Sequence, residues 1–485
     1  VARPPGGSGA RPGAGAGGMM PARTDRARLL FVLALAAVVT VFTASVPLLR
    51  DWFDLRVYHG AVDSWVHHGG RIYDYRVPGT PYGFTYPPFA AVAMLPMAML
   101  DLRAAIAVAL LLNLAALAVV LRILTGPAWR RYGWYGCALG ACALALFEPL
   151  RDTISFGQVN LLLLALVLAD ARLLTTGRGR WAGAGIGLAA AVKLTPVLFI
   201  GLLLLARRPR AAAVASAVTA AATTLAACVA PDASRFYWTE AMWDTTRVGR
   251  LDYVSNQSLQ GVLARLGEPD RAVWAVAVLL VLCVWAFRAR RAVAAGEWTT
   301  AFALTGLTAC LVSPITWVHH LVWLLPSFAV LVRAGHPRTA GALYAVLCTS
   351  VVWLWFDDAS GVGGFLGGNA YTWITLGLLL WLPVGQLRSA ATALPRSTST
   401  STSATAPAPS AAAPAIAPVR GQRGPVSVAG SAAAGSAVAD SAAGPERGFA
   451  RSASSEPTGS TRPAAAKPQS SSSRASSYTA KPPPA

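Results

Sequence analysis

The chain reads as an all-α, polytopic integral membrane protein, a bundle of about 10–12 transmembrane helices with disordered ends. Three observations predict this. Of 485 residues, 55% are hydrophobic and only 13% are charged, whereas a soluble domain carries about 25% charged residues. Apolar runs recur at the length a crossing helix needs, about 20 residues. Arginines gather in the short stretches between those runs. This composition excludes an ordinary soluble enzyme, and it excludes one long disordered chain, which would be poor in apolar residues.

The net charge of +20 is explained by its distribution. Residues 1–28 hold five arginines and one aspartate, and residues 389–485 hold nine basic and three acidic residues. The rest sits in clusters between apolar runs. Nucleic-acid binding wants a continuous basic face, and none is present, so no nucleic-acid partner is expected.

Taken in order, residues 1–28 read as a disordered, basic, cytoplasmic N-terminus. The first residue is Val and the first methionines are Met19 and Met20. A start at one of these is the expectation, with a valine-encoded start as the other reading. The run 29–49 is too long for a cleaved signal core of 7–15 residues, so it reads as an uncleaved anchor. Further spans are expected near 104–121, 133–148, 158–174, 181–205, 211–230, 272–287, 298–316, 320–333, 340–356 and 369–387. From 389 the chain turns to Ala, Ser, Thr and Pro, and this tail is expected to be disordered and cytoplasmic. Residues 29–388 form the membrane domain. Its cysteines (Cys137, Cys142, Cys228, Cys283, Cys310 and Cys348) fall in apolar runs without a C-x-x-C pair, and they suggest neither a disulfide framework nor a zinc site.

Placing the basic clusters in the cytoplasm leaves 50–103, 149–157, 231–271, 317–319 and 357–368 outside. Alternation fails only at 181–205, which has basic clusters on both flanks. Within it lies Lys193-Leu-Thr-Pro196. Proline breaks a helix, and a mid-membrane lysine is costly unless it lines a polar cavity. A broken pair of short helices is therefore expected, with the 193–196 turn facing a cavity; a single tilted helix with a snorkelling lysine is the other reading. Segment 84–100, rich in proline and aromatic residues, reads as re-entrant or interfacial. Its Phe84, Tyr86 and Phe89 suit the headgroup level.

This topology gathers unusual polar residues on one side: Asp51, Asp54, Arg151, Asp152, Gln158, Asn160, Arg247, Asn256, Gln257, Ser258, His319 and His320, with Lys193 pointing the same way. Singly, each has a bland explanation. Asp54 suits a solvated loop, Gly157–Asn160 a helix cap, Asn256–Ser258 a glycosylation sequon, and the histidines interfacial packing. Together they supply an acid-base candidate, cations for a phosphate and amides for hydroxyls, the parts of a site for a sugar and a phosphate.

The motifs Phe53-Asp54-Leu-Arg-Val-Tyr58, Ile72-Tyr73-Asp74, Phe84-Thr-Tyr-Pro-Pro-Phe89 and Phe156-Gly-Gln-Val-Asn160 are followed by Val192-Lys-Leu-Thr-Pro196, Arg247-Val-Gly249, Asn256-Gln-Ser258 and Ser313-Pro-Ile-Thr-Trp-Val-His-His320. In this order they resemble glycosyltransferase family 87, actinobacterial membrane mannosyltransferases of the GT-C architecture, over about residues 29–390. Two positions depart from the pattern. Val318 stands where a polar residue often precedes the histidines, and Leu259-Gln260 replaces an aromatic-basic pair of some relatives, which points to a different acceptor.

The resemblance implies a polyprenyl-phosphate-mannose donor and α-(1→2) transfer. The implied acceptor is a phosphatidylinositol mannoside, or the lipomannan and lipoarabinomannan built on it. It implies Asp54 as the catalytic aspartate and His319 or His320 near the donor phosphate. Lys193 and Arg247 would stabilise the leaving phosphate. Gln158, Asn160, Asn256 and Gln257 would orient hydroxyls, with Tyr58 and Tyr86 also contacting substrate. One base fits an inverting displacement. With no nucleotide-sugar loop or metal-binding carboxylate motif in the chain, no cofactor and no metal are expected. The site is expected outside the plasma membrane. The alternative is a lipid or sugar transporter or flippase of cell-envelope synthesis, which broken helices and a buried lysine would also suit.

Overall fold

The structure, a computed structural model, describes residues 20–45, 52–126, 128–176, 179–267 and 270–385. Asp51, the extreme N-terminus and the whole 389–485 tail lie outside the described residues. The regular elements of the described chain are all helices, joined by loops and turns, with one isolated bridge between Arg76 and Gly83. The all-α, membrane-spanning expectation holds.

Helix α1 (Met20–Ser45) begins earlier than the apolar run alone suggests. Next come α2 (Phe53–His67), α3 (Pro88–Ala93) and α4 (Leu102–Thr125). The carboxylate of Asp101 caps α4 by accepting from the Ala104 N–H at 2.7 Å, which satisfies one orphan donor of the first turn. Helix α5 (Ala128–Leu146) meets α6 (Glu148–Ser155) at a 76° bend, with Pro149 in the first turn of α6. Residues 149–157, expected as an outer loop, are mostly this buried helix. Its polar residues Glu148, Arg151 and Asp152 are all buried.

Then come α7 (Asn160–Thr175), α8 (Ala184–Val192) and α9 (Val197–Leu205). The expected break at Lys193–Pro196 separates α8 from α9. Beyond it lie α10 (Pro209–Val229) and α11 (Pro231–Phe236), which runs into a π-turn at Tyr237–Ala241. The chain continues with α12 (Leu259–Leu266), α13 (Arg271–Ala294), α14 (Trp298–Val312), α15 (Leu325–Arg333), α16 (Pro337–Cys348), α17 (Gly361–Gly367) and α18 (Ala370–Trp381).

Among the described residues, four helices are long and apolar enough to cross a bilayer alone, or five if the bent α5–α6 pair is one span. The other expected spans are present as shorter or broken helices, because Pro and Gly interrupt their apolar runs. Helix α13, with 24 residues, is about 36 Å long at 1.5 Å per residue, enough for the hydrocarbon core. Its Val276, Leu279, Leu280 and Phe287 are exposed, as side chains facing lipid would be.

Helix α14 is buried nearly all round. Two of its threonines bond back one turn, Thr305 to Ala301 O at 2.8 Å and Thr308 to Leu304 O at 2.9 Å. Helices α8 and α10 touch backbone to backbone. A Cβ on Gly183 would lie 2.1 Å from Ala211 O, and one on Gly187 2.4 Å from Ala215 O. This small-xxx-small seam lets two membrane helices approach closely.

Two apolar cores result. The larger is built on α7, α9, α14 and the 318–331 region. The smaller joins α2 to Tyr73, Phe84, Tyr86 and Tyr237. Phe84 is fully buried there. Its ring packs edge-on to Tyr58, Tyr73 and Tyr86.

Candidate active site

The polar residues that matter meet at the seam between the two cores. Helix α2 begins against the end of α6: the Trp52 and Leu55 N–H groups donate to Ser155 O and Phe156 O at 3.2 and 3.0 Å. Those carbonyls satisfy N–H groups that a helix start leaves unpaired. Asp54 lies in this first turn, where the helix dipole favours a carboxylate. Gly157 has φ +71°, and a Cβ there would lie 2.6 Å from Leu55 Cβ. Only glycine lets the 156–158 turn lie against α2 and bring Gln158 to Asp54.

A directed hydrogen-bond chain follows. Tyr58 OH donates to Tyr86 OH at 3.0 Å, Tyr86 OH donates to Gln158 Oε1 at 2.7 Å, and Gln158 Nε2 donates to Asp54 Oδ2 at 2.6 Å. Burial pushes the Asp54 carboxyl up to about 6, against the opposing effects of the Gln158 hydrogen bond and then Lys193. It is therefore ionised but basic near neutral pH, as a general base should be. Burial, and next the charge of Asp54, push the Tyr86 hydroxyl up as well, so it stays protonated.

Lys193 leaves the end of α8 in extended backbone. Its Nζ lies 3.1 Å from Asn160 Oδ1, 3.4 Å from Tyr86 OH and 2.7 Å from His320 Nε2. The Nδ1 of His320 accepts the Trp317 backbone N–H at 3.0 Å. His319 and His320 divide their roles. His320 lines the cavity, whereas His319 is buried beside Phe156 and stands edge-on to His320 at 4.6 Å. The carbonyl of His319 is held by Thr153 Oγ1 at 2.9 Å and Asn160 Nδ2 at 3.2 Å.

The cavity, about 230 Å³, is lined by Asp54, Tyr58, Tyr86, Gln158, Lys193, Arg247 and His320. Arg247 donates to Tyr73 O at 2.6 Å and lies over the Phe236 ring at 5.2 Å. Burial and then the like charge of Arg76 push its pKa down. A second carboxylate, Asp244, lies at the mouth. It is exposed and already accepts from the N–H and hydroxyl of Thr246, at 3.0 and 2.5 Å. Beside this cavity runs an apolar groove of about 690 Å³ between α3, α4, α7 and α8, and Tyr58 and Gln158 line both.

Three residues expected to orient hydroxyls are placed elsewhere. Asn256 is fully buried, with its amide bonded to Leu251 O, Pro314 O and Thr316 N. Gln257 is likewise buried, bonded to Val254 O, Gly368 O and Thr372. The Asn256 amide fixes the 313–317 turn that carries Trp317, and the Gln257 backbone N–H donates to Thr316 O at 2.7 Å. Asn160 uses both ends of its amide on Lys193 and His319 O. Sequence reasoning did not find the Tyr58–Tyr86–Gln158 relay, the Trp317 N–H or Tyr237, which stacks on Tyr73 at 5.8 Å. Nothing in residue spacing signals such contacts. Among the described residues no group of three or more His, Cys, Asp or Glu is placed to hold a metal ion.

Comparisons agree on one family. The model for glycosyltransferase family 87 matches residues 84–314. A Mycobacterium tuberculosis protein named polyprenol-phosphate-mannose-dependent alpha-(1-2)-phosphatidylinositol mannoside mannosyltransferase is 35% identical over 319 residues, 62% of this chain and 74% of the relative. A Mycolicibacterium smegmatis protein of the same name is 31% identical over 405 residues, 75% of this chain and 90% of the relative. A second M. tuberculosis protein, named for phosphatidylinositol pentamannoside, is 32% identical over 331 residues, 66% of this chain and 76% of the relative. No solved structure matches.

Proposed function

Because this chain belongs to glycosyltransferase family 87, we propose that it transfers mannose from polyprenol-phosphate-mannose to the 2-hydroxyl of a phosphatidylinositol mannoside, or of a lipomannan or lipoarabinomannan built on one. Asp54 takes the hydroxyl proton as that oxygen attacks C1 of the donor sugar. The C1–O bond to phosphate breaks on the opposite face, and β becomes α. The observation that carries this reading is one half-buried carboxylate, Asp54, facing Lys193, His320 and Arg247 across a single cavity.

Lys193, His320 and Arg247 stabilise the charge that grows on the departing phosphate. Gln158 and the two tyrosines hold Asp54 in place. The adjoining apolar groove takes the lipid chain of the donor, since it opens beside the reacting atoms and offers almost no polar surface. The cavity faces the extracytoplasmic side of the plasma membrane, and the basic segments, including both chain ends, face the cytoplasm.

Incubating the purified protein with radiolabelled polyprenol-phosphate-mannose and a panel of phosphatidylinositol mannosides tests the reading. Transfer of α-(1→2)-linked mannose, shown by linkage analysis, is expected. Movement of lipid across a vesicle with no transfer would establish the transporter alternative instead.

A further inference from the structure

The Trp317 backbone N–H donates to Nδ1 of His320 at 3.0 Å. That nitrogen therefore holds a lone pair, and a neutral imidazole must carry its proton on Nε2. Nε2 lies 2.7 Å from Lys193 Nζ. An imidazole N–H aimed at an ammonium would set two donors against each other, so the lysine must supply a lone pair. An uncharged amine has one lone pair and two N–H groups. The other two neighbours of Nζ, Asn160 Oδ1 at 3.1 Å and Tyr86 OH at 3.4 Å, both accept. Tyr86 is free to accept because its own proton goes to Gln158 Oε1 at 2.7 Å. Every donor then has an acceptor, and the arrows end on the Asp54 carboxylate.

We propose that Lys193 rests as a neutral amine latched to the Nε2–H of His320, and that entry of an anionic phosphodiester draws a proton onto Nζ, opens the latch and turns both groups onto the phosphate. The phosphodiester part rests on the donor reading above. Facing Lys193 are Asp54 from α2, Tyr86 before α3, Cys310 from α14, and His319 and His320, with Arg247 lining the same cavity. Asp54 alone among these is anionic at rest, and Gln158 already holds it. When the phosphate arrives, a proton from solvent forms a third N–H bond on Nζ. The resulting ammonium has no lone pair for His320, whose Nε2–H is released intact as a second donor to the phosphate.

Two measurements on the full-length protein in detergent test this. In the ligand-free protein, nitrogen NMR of labelled histidine reads the His320 ring, assigned by the signal lost in His320→Gln. A neutral ring protonated on Nε2 is expected; protonation on Nδ1, or on both nitrogens, overturns the latch. Calorimetry with polyprenol-phosphate-mannose, in buffers of different ionisation enthalpy, then counts protons. Uptake of about one proton per donor bound is expected for wild type. None is expected for Lys193→Arg, whose guanidinium is always charged, or for Lys193→Met should the arginine variant not fold. No uptake by wild type, or equal uptake by these variants, overturns the proposal. Failure to bind donor at all would overturn the function reading instead, and the NMR result would then decide the resting state by itself.

Discussion

Gln158 Nε2 holds Asp54 Oδ2 at 2.6 Å and so ties the carboxylate of α2 to the turn before α7. The bond is part of what keeps a half-buried acid ionised. Burial still dominates, and it leaves the Asp54 carboxyl at about 6 against an ordinary 3.8. Activity should therefore rise with pH through about 6 and then level, because only the deprotonated form accepts a proton.

The same shift makes a stability prediction. A raised pKa means folding favours the protonated acid. That contribution is complete below 3.8 and is lost as pH rises through about 6. At pH 7.5 the ionised group costs on the order of 3 kcal/mol. Asp54→Asn should thus lower transfer by at least ~100-fold and yet melt higher than wild type at pH 7.5, with the gap closing by pH 4. Transfer near the wild-type rate would remove Asp54 from the role of base.

Gln158→Leu tests the relay. Without the amide, Asp54 loses the hydrogen bond that most opposes burial, so its carboxyl rises further. The acid limb of the rate profile should move to higher pH, and the loss of rate at pH 6 should exceed the loss at pH 8. An unmoved limb would mean that Gln158 merely packs.

The α8–α10 seam makes a prediction about folding alone. Any Cβ on Gly187 meets Ala215 O at 2.4 Å, so Gly187→Leu must push the helices apart. Overpacking of this kind costs about 1–3 kcal/mol or more. The thermal midpoint and the yield of monodisperse protein should fall, whereas Leu188→Ala, on the partly exposed side of the same helix, should change little. Equal behaviour of the two variants would refute the close-packed seam.

Much of this was legible in the sequence because membrane helices announce themselves by composition. The break at Lys193–Pro196 was legible too, since a proline and a lysine inside an apolar run have few physical solutions. The site was read less evenly. Asp54, Gln158, Lys193, Arg247 and His320 do line one cavity. Asn256 and Gln257 share the polar signature of ligand-binding amides, but Asn256 spends its amide on Leu251 O, Pro314 O and Thr316 N–H, and Gln257 spends its own on Val254 O, Gly368 O and Thr372. An amide that binds sugar and an amide that holds a loop look alike in one dimension. The difference between His319 and His320 depends on which ring the Trp317 N–H reaches, and residue spacing does not encode that.

Sidedness can be read at Pro78, an exposed residue in the segment between α2 and α3. With exposed Cys228 and Cys283 replaced by serine, Pro78→Cys should react with an impermeant thiol reagent on intact cells. Labelling only after lysis would put the Asp54 cavity in the cytoplasm, where a lipid-linked donor would offer no advantage over a soluble one.

The groove between α4 and α7 makes the last prediction. Ala109 lines it on α4, whereas Tyr58 and Gln158 stand where it meets the cavity. Ala109→Phe fills space that a long isoprenoid would occupy and leaves Asp54, Lys193 and His320 untouched. The KM for a long-chain polyprenol-phosphate-mannose should rise about tenfold or more, on the scale of one to two buried methylenes or better lost from contact. The kcat should hold, because the groove binds the tail equally before and during reaction. A donor with a short chain, ending before Ala109, should be handled equally well by wild type and variant. If both donors lose equally, the substitution has disturbed the cavity itself; if neither loses, the tail lies elsewhere on the bundle.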